Sequence, residues 1–289
     1  MRGLTYYSRL LRWTLHHYLP RHDVSVATAN GVLSVSSTDW LMGKHLFVHR
    51  NYEIDFIDMS IEFLKASGYL RPGKGKTFLD IGANLGMIGI AMARKDYFER
   101  VIAFEPDPRN FQLLKNNVKQ NGLDERFECF QVAMSSSNGE IEFEIDDRNS
   151  GDSRVRQTER RGELKEHLRN TAKVQATTLD SFVENHLASE EAEAIDLLWV
   201  DIQGHEGHLF DGARRFFERR RIPVVNEFWG YGIDRSGITR ERYCSTAREM
   251  FPEFYIFTDG RYESRPISEI DRLFDVYNKP REIANIILI

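Results

Sequence analysis

Apolar residues along this chain follow two spacings, and the switch between them divides it. In "LTYYSRLLRWTLHHYL", Tyr7, Leu10, Leu11, Leu15, Tyr18 and Leu19 recur at helical spacing with Arg9, Arg12 and His16 opposite, which predicts an amphipathic helix. "DVSVATANGVLSVSS" alternates small apolar and polar residues around Asn30-Gly31 and predicts a β-hairpin with a tight turn. Helical spacing returns over 52–67, and "GYLRPGKGK" breaks it. The pattern therefore predicts an N-terminal extension of helix, hairpin and helix over 1–75, ahead of a catalytic domain over 76–289.

Beyond residue 75, strand and helix alternate. Strands are predicted at 77–81, 101–105, 127–133, 195–201, 222–227 and 253–258, with helical stretches at 87–94, 108–121 and 207–221. Right-handed crossovers bury both faces of such a sheet, so the class is α/β, a mostly parallel sheet with helices on both faces. Ligands in such sheets bind beyond the carboxyl ends of the strands. The closing run "IANIILI" is compatible with a last buried strand. Residues 146–172 are dense in charge and poor in large apolar groups, a stretch suited to a lid over substrate or to disordered surface.

Composition narrows the partners. A chain of 289 residues with 41% hydrophobic content can bury a substantial core. A net charge of -5 argues against nucleic acid as the main partner, since phosphate binding needs a basic surface. Only Cys129 and Cys244 are present, without metal-ligand spacing, so no disulfide framework or zinc site is expected and a cytoplasmic setting fits best. No run is long and apolar enough to predict a spanning helix, and no signal peptide is recognised. Residues 1–50 nevertheless hold six Lys/Arg against two Asp, a local +4, so the first helix can lie on a membrane surface, dock on the protein's own core or meet a sister subunit in a homo-oligomer.

The chemistry centres on "FLDIGANLG", a strand-to-helix turn carrying Asp80, Gly82, Ala83, Asn84 and Gly86. Glycines in such a turn let backbone approach a ligand, and the next helix offers free N–H groups. The GxGxxG spacing that holds a pyrophosphate is missing, and Asp80 would repel phosphate while suiting an amine. S-adenosylmethionine, with an ammonium, a sulfonium and no phosphate, fits those terms. The next strand ends in Glu105 and Pro106, 23 positions after Gly82, where a carboxylate can accept hydrogen bonds from both ribose hydroxyls. Ala133, Met134 and Ser135 close the third strand, at the expected adenine edge.

These residues resemble a known family. "FLDIGANLG", "VIAFEPDPRNFQLLKNNVKQNG", "VAMSSSNGEIEFEI", "NSGDSRV", "TTLDSFV" and "LLWVDIQGHEGHLFDGA" occur in the order seen in the FkbM family of S-adenosylmethionine-dependent methyltransferases, a match over about 77–230. The resemblance implies a seven-stranded Rossmann-like methyltransferase fold and S-adenosylmethionine as donor, with S-adenosylhomocysteine as product. It also implies O-methylation of a hydroxyl on a sugar-containing or other polyhydroxylated natural product, and Asp80, Gly82, Asn84, Gly86 and Glu105 as cofactor contacts. Many relatives carry a lysine two positions before the fourth-strand aspartate and a glutamate two after it; Trp199 and Gln203 stand there in this chain.

Methyl transfer to a hydroxyl needs alignment, exclusion of water and a base. "WVDIQGHE" offers Asp201 at a strand end with His205 and Glu206 opening the next helix, and "VVNEFWG" brings Asn226 and Glu227 to the end of the adjacent strand. Asp201, His205 and Glu227 are the catalytic candidates; a helix cap is the alternative role of His205. Asp201 and Glu227 together can hold a divalent cation or drive one pKa toward neutrality, but spacing supplies no third ligand and no metal is assigned. Trp199, Gln203, Asn226 and Trp229 are candidates to face a small-molecule or glycan substrate, with plain core as the alternative for the tryptophans. The rival functions are a nicotinamide-dependent oxidoreductase on a related fold and a non-catalytic S-adenosylmethionine-binding protein.

Overall fold

A computed structural model describes residues 3–156 and 161–289. The chain opens with α1 (Leu4–Tyr18) and a hairpin of β1 (Asp23–Ala27) and β2 (Val32–Ser36), followed by α2 (Met42–His49) and α3 (Ile54–Ala66). The hairpin closes in the expected tight turn, with Thr28 and Gly31 exchanging backbone hydrogen bonds at 2.8 and 3.3 Å, so that Ala29 and Asn30 are its central residues, and the Asn30 side chain is wholly buried. Its Nδ2 donates to the carbonyls of Tyr52 at 2.8 Å and Met87 at 3.2 Å, and its Oδ1 accepts from Tyr52 N–H at 2.9 Å. The short helix α2 carries no strong periodic signal in the sequence.

Three strands alternating with two helices follow: β3 (Gly75–Ile81), α4 (Met87–Arg94), β4 (Phe98–Phe104), α5 (Pro108–Gln120) and β5 (Phe127–Phe130). Asp107 caps α5, its Oδ1 accepting from Arg109 N–H at 2.8 Å, and Pro108 supplies the first-turn geometry. Two asparagines one helical turn apart then cover the free edge of β2. Asn117 accepts from Ser34 N–H at 2.6 Å and Asn121 from Val32 N–H at 2.9 Å, while the Asn121 amide donates back to Val32 at 2.7 Å. The helix thus supplies the pairing that another strand would give.

The expected strand 127–133 is split. β5 ends at Phe130, and Ala133–Met134 (β6) crosses to a second sheet with β7 (Gly139–Ile145), β8 (Arg154–Val155) and β9 (Asn170–Thr177), in the order β6-β9-β7-β8. The charged stretch 146–172 therefore builds structure, apart from 157–160, which lie outside the described residues. Its buried charges are paired. Arg154, 6% exposed, meets Glu166 and Asp152 at 3.0 Å and Glu144 at 3.5 Å, and Arg169 meets Asp146 at 3.1 Å. Buried ions persist only in such company.

The chain continues through α6 (Leu179–His186), α7 (Ser189–Glu193), β10 (Ile195–Val200), α8 (Glu206–Asp211) and α9 (Arg214–Arg219). Then come β11 (Val224–Phe228), α10 (Gly230–Arg235), α11 (Arg240–Met250), β12 (Glu253–Thr258), β13 (Arg261–Pro266), α12 (Arg272–Val276) and β14 (Ala284–Leu288). The main sheet runs β13-β12-β14-β11-β10-β3-β4-β5. It has one strand more than the seven expected, because the polar β13 folds back on β12 as an edge. The terminal run "IANIILI" enters the sheet as β14, antiparallel to β11 and β12, while the other inner strands are parallel.

One hydrophobic cluster joins Trp13, Ile57 and Ile61 of residues 1–75 to Phe78, Trp199, Val225 and Ile287 of the sheet. Trp13 is fully buried and packs against Phe47, ring centres 5.4 Å apart with the planes tilted by 45°. Trp13→Ala is expected to cost about 3–5 kcal/mol and to shift the whole transition in urea, read by circular dichroism, to a lower midpoint. A separate early transition confined to the first helices would contradict a shared core.

Candidate active site

The turn after β3 is shaped by packing. Gly82 has φ +89°, and a Cβ there would stand 1.9 Å from the carbonyl oxygen of Asp201; at Gly86, φ +85°, it would stand 2.7 Å from Leu114. These glycines let the end of β10 and helix α5 approach, whereas the sequence suggests room for a ligand. Ala83 is buried and donates its N–H to Phe104 at 2.9 Å. Asp80 is 2% exposed and accepts from Gly89 N–H at 3.0 Å, with burial raising its carboxyl to about 7. Asp80, Ala83 and Gly86 therefore support the turn from beneath and do not line the cleft above it.

That cleft brings together Gly82, Asn84, Glu105, Pro106, Ala133, Met134, Asp201, Gln203 and His205. Glu105 sits at its base, 4% exposed, with one oxygen accepting from Asn84 N–H and the other from Asp107 N–H, both at 2.8 Å. Burial, then the Asp107 carboxylate, push Glu105 up to about 8. The Oδ1 of Asn84 is buried and has no hydrogen-bond partner among the described residues. The opposite wall comes from the second sheet and the charged stretch, through Phe143, Gly151, Ser153, Arg154 and Val155. Sequence reasoning missed Arg154 as a lining residue, although "NSGDSRV" contains it.

Asp201 and Glu227 end neighbouring strands, one residue past the paired positions Val200 and Asn226. Gln203, in the left-handed region at φ +55°, ties them together. Its Nε2 donates to Asp201 Oδ1 at 2.6 Å and to Glu227 Oε1 at 3.2 Å. Burial raises Asp201 to about 6, against the pull of the Gln203 amide; burial and the Asp201 charge raise Glu227 well above the carboxylate range. Tyr52 and Glu53, at the start of α3, overhang the pair and were missed because their spacing reads only as the beginning of a helix. Tyr52 is raised by burial and then by Glu53, Asp201, Glu227 and Asp80, and Glu53 by desolvation and Asp201 to about 7. No group of three or more His, Cys, Asp or Glu side chains is arranged to hold a metal among the described residues.

The remaining candidates are placed elsewhere or differently. Trp199 lies deeper along its strand than Asp201, buried in the core and edge-on to Phe56 at 5.4 Å. Asn226 is fully buried, alternating with Glu227 along the strand, and so cannot reach substrate. Trp229 is 3% exposed, wedged against Gly232 beneath the Arg154 guanidinium at 4.9 Å. Ser135 is buried with its Oγ 2.9 Å from His205 Nε2. His205, 2% exposed and stacked on His208 at 4.2 Å, is held well below the usual imidazole range by burial, which makes it a neutral wall and a poor base.

The family model described as the methyltransferase FkbM domain matches residues 80–255. The 2-O-methyltransferase NoeI of Sinorhizobium fredii is 26% identical over 151 residues, covering 50% of this chain and 60% of that protein. The methyltransferase sdnD of Sordaria araneosa is 26% identical over 169 residues, covering 52% and 65%. The chain thus spans under two thirds of the length of these curated relatives. The crystal structure of a methyltransferase FkbM from Methylobacillus flagellatus is similar with a TM-score of 0.37 at 18% identity, over 56% of this chain and 35% of that one.

Glu53, Asp80, Asp201, Glu105 and Glu206 all lie raised, at about 7, 7, 6, 8 and 7. Unfolded, each titrates near about 4. The fold therefore binds their protons more tightly, so this stabilisation is full below about pH 4 and is lost as pH rises through about 6 to 8. The thermal midpoint of the ligand-free chain is expected to fall between about pH 5 and about pH 8, with a shallower slope in Glu105→Gln. A midpoint rising across that window would contradict the assignment.

Proposed function

The chain belongs to the FkbM methyltransferase family, and we propose that it transfers a methyl group from S-adenosylmethionine to a hydroxyl of a sugar-containing or other polyhydroxylated natural product. The observation that carries this reading is the Asp201–Gln203–Glu227 bridge beside a cleft at the strand ends that Glu105 lines. The cleft's acceptors, Glu105 and the unpaired Asn84 Oδ1, suit hydroxyl and amine donors, and the ionised Asp201 disfavours a pyrophosphate. That charge balance weighs against the nicotinamide reading.

In this proposal Glu105 accepts from the ribose hydroxyls, while Gly82, Asn84, Pro106, Ala133 and Met134 enclose the nucleoside. When bound, S-adenosylmethionine supplies an electrophilic methyl group on a sulfonium. Asp201, the lower of the two carboxyls, is ionised at neutral pH and takes the acceptor hydroxyl's proton. Glu227 keeps its own proton near neutrality, because two ionised carboxylates sharing one amide would repel. The Gln203 amide holds both oxygens in place and leaves Asp201 aimed at the cleft. Tyr52 and Glu53 close the site on the side of the N-terminal extension, where an acceptor would enter. The NoeI relative is named a 2-O-methyltransferase, which supports oxygen as the acceptor atom.

Glu105→Ala is expected to weaken S-adenosylhomocysteine binding about 100-fold, close to 3 kcal/mol, by calorimetry. Asp201→Asn should leave that affinity within about threefold yet lower turnover about 100- to 10,000-fold with a hydroxylated acceptor. The wild-type rate should fall as pH drops through about 6, where Asp201 is protonated. Equal loss of binding and turnover in Asp201→Asn would remove the base assignment.

A further inference from the structure

We propose that α1 docks the protein onto an anionic lipid surface. The helix has two apolar faces, and only one is used within the chain. Trp13 is buried, and Tyr6 and Leu10 pack with it against the core. The other face is bare: Leu4 is 92% exposed, Tyr7 58%, Leu11 64%, Leu15 61% and Tyr18 82%, with Leu19 at 56% just beyond. At 3.6 residues per turn the five helical positions fall within roughly 80° of one another. Six of the ten exposed large apolar side chains among the described residues are in this one segment, so the exposure is a stripe and not the scatter of an ordinary surface.

Charge chooses the occupant. Residues 1–22 contain Arg2, Arg9, Arg12 and Arg21 and no Asp or Glu, a charge of +4 in a chain whose total is -5, leaving -9 for the rest. A second copy would bring the same positive segment face to face with this one. An anionic bilayer meets it with opposite charge, and the acidic remainder orients the molecule with α1 toward the lipid. Tyr7 and Tyr18 lie toward the two ends of the stripe, where an aromatic ring with a polar tip suits the headgroup level. At 15 residues α1 is too short to span, and no helix among the described residues is long and apolar enough to cross a membrane. The helix therefore lies in the surface plane, its inner face still holding the fold.

The test is co-sedimentation of the full chain with phosphatidylcholine vesicles containing about 30% phosphatidylserine. The expected result is binding that falls at least about tenfold on pure phosphatidylcholine, at high salt, and in the double variant Leu11→Glu/Leu15→Glu. Both sites are exposed, so the variant should keep its far-ultraviolet dichroism and its S-adenosylhomocysteine affinity. Arg12→Glu should weaken binding to the anionic vesicles alone. Absence of sedimentation, or equal sedimentation of the double variant, would overturn the proposal. So would a wild-type dimer in analytical ultracentrifugation that the double variant converts to monomer, because a second copy would then cover the stripe.

Discussion

The crowding of carboxyl groups at the dry ends of four strands is the constraint around which the rest of this molecule is arranged. Asp80, Glu105, Asp201 and Glu227 end β3, β4, β10 and β11 or directly follow them, and Glu206 opens the helix behind Asp201. None of these five has a lysine or arginine partner among the described ion pairs; backbone N–H groups and one amide serve instead. Gly89 donates to Asp80, Asn84 and Asp107 to Glu105, and Gly204 at 3.2 Å to Glu206. Neutral donors supply no countercharge, so burial keeps protons on most of these carboxyls near neutral pH. Asp201 carries the negative charge of the corner, which favours a cation and discourages phosphate. Asn84, Glu53 and Gln203 adopt left-handed backbone here, and non-glycine residues accept that cost where surrounding structure dictates it.

The N-terminal segment is part of this arrangement. Asn30 grips both backbone groups of Tyr52 and the carbonyl at the start of α4, so the hairpin loop sets where Tyr52 and Glu53 hang over the strand ends. Asn117 and Asn121 hold the hairpin in turn, and the same α5 packs its Leu114 against the turn at Gly86. A continuous set of polar side chains thus runs from hairpin to helix to cleft. This is why the outer stripe of α1 can stay bare without loosening the site: the inner stripe, through Trp13, already anchors the extension.

Much of this was legible in the sequence, and what was not has a physical reason. The strands at 195–201 and 253–258 and the helix at 87–94 came from dense apolar runs, whose burial depends little on partners. The break at Phe130 did not show, because Ala133 and Met134 are as apolar in one sheet as in the other and only pairing with β9 decides. The charged stretch misled for a related reason. Charge density signals solvent unless opposite charges meet, and Arg154 finds Glu144 from ten residues earlier and Glu166 from twelve later. In the site, the spacing of Asp201 and Glu227 placed both correctly at strand ends. Period-two alternation turned Asn226 away from the cleft, while Trp199, two residues before Asp201, lies deeper along its strand in the core. Tyr52 and Glu53 reach it through the hairpin loop, a tertiary contact without a local signature.

Gln203 shows how a departure at one position can follow from the same crowding. A glutamate there would place a third carboxylate between Asp201 and Glu227, where both already feel each other's charge. Such a trio needs a cation, either a nearby lysine or a metal, and the residue two positions before Asp201 is Trp199, buried against Phe56. Without that cation the amide is the group of the same shape that can sit between two carboxylates, because its two N–H groups donate where a carboxylate only accepts. With tryptophan at 199 and glutamine at 203, this chain has at these positions neither a cation nor a third carboxylate beside Asp201. The amide bridge holds the pair without either, and Asp201 is the lower and more readily ionised carboxyl of the two.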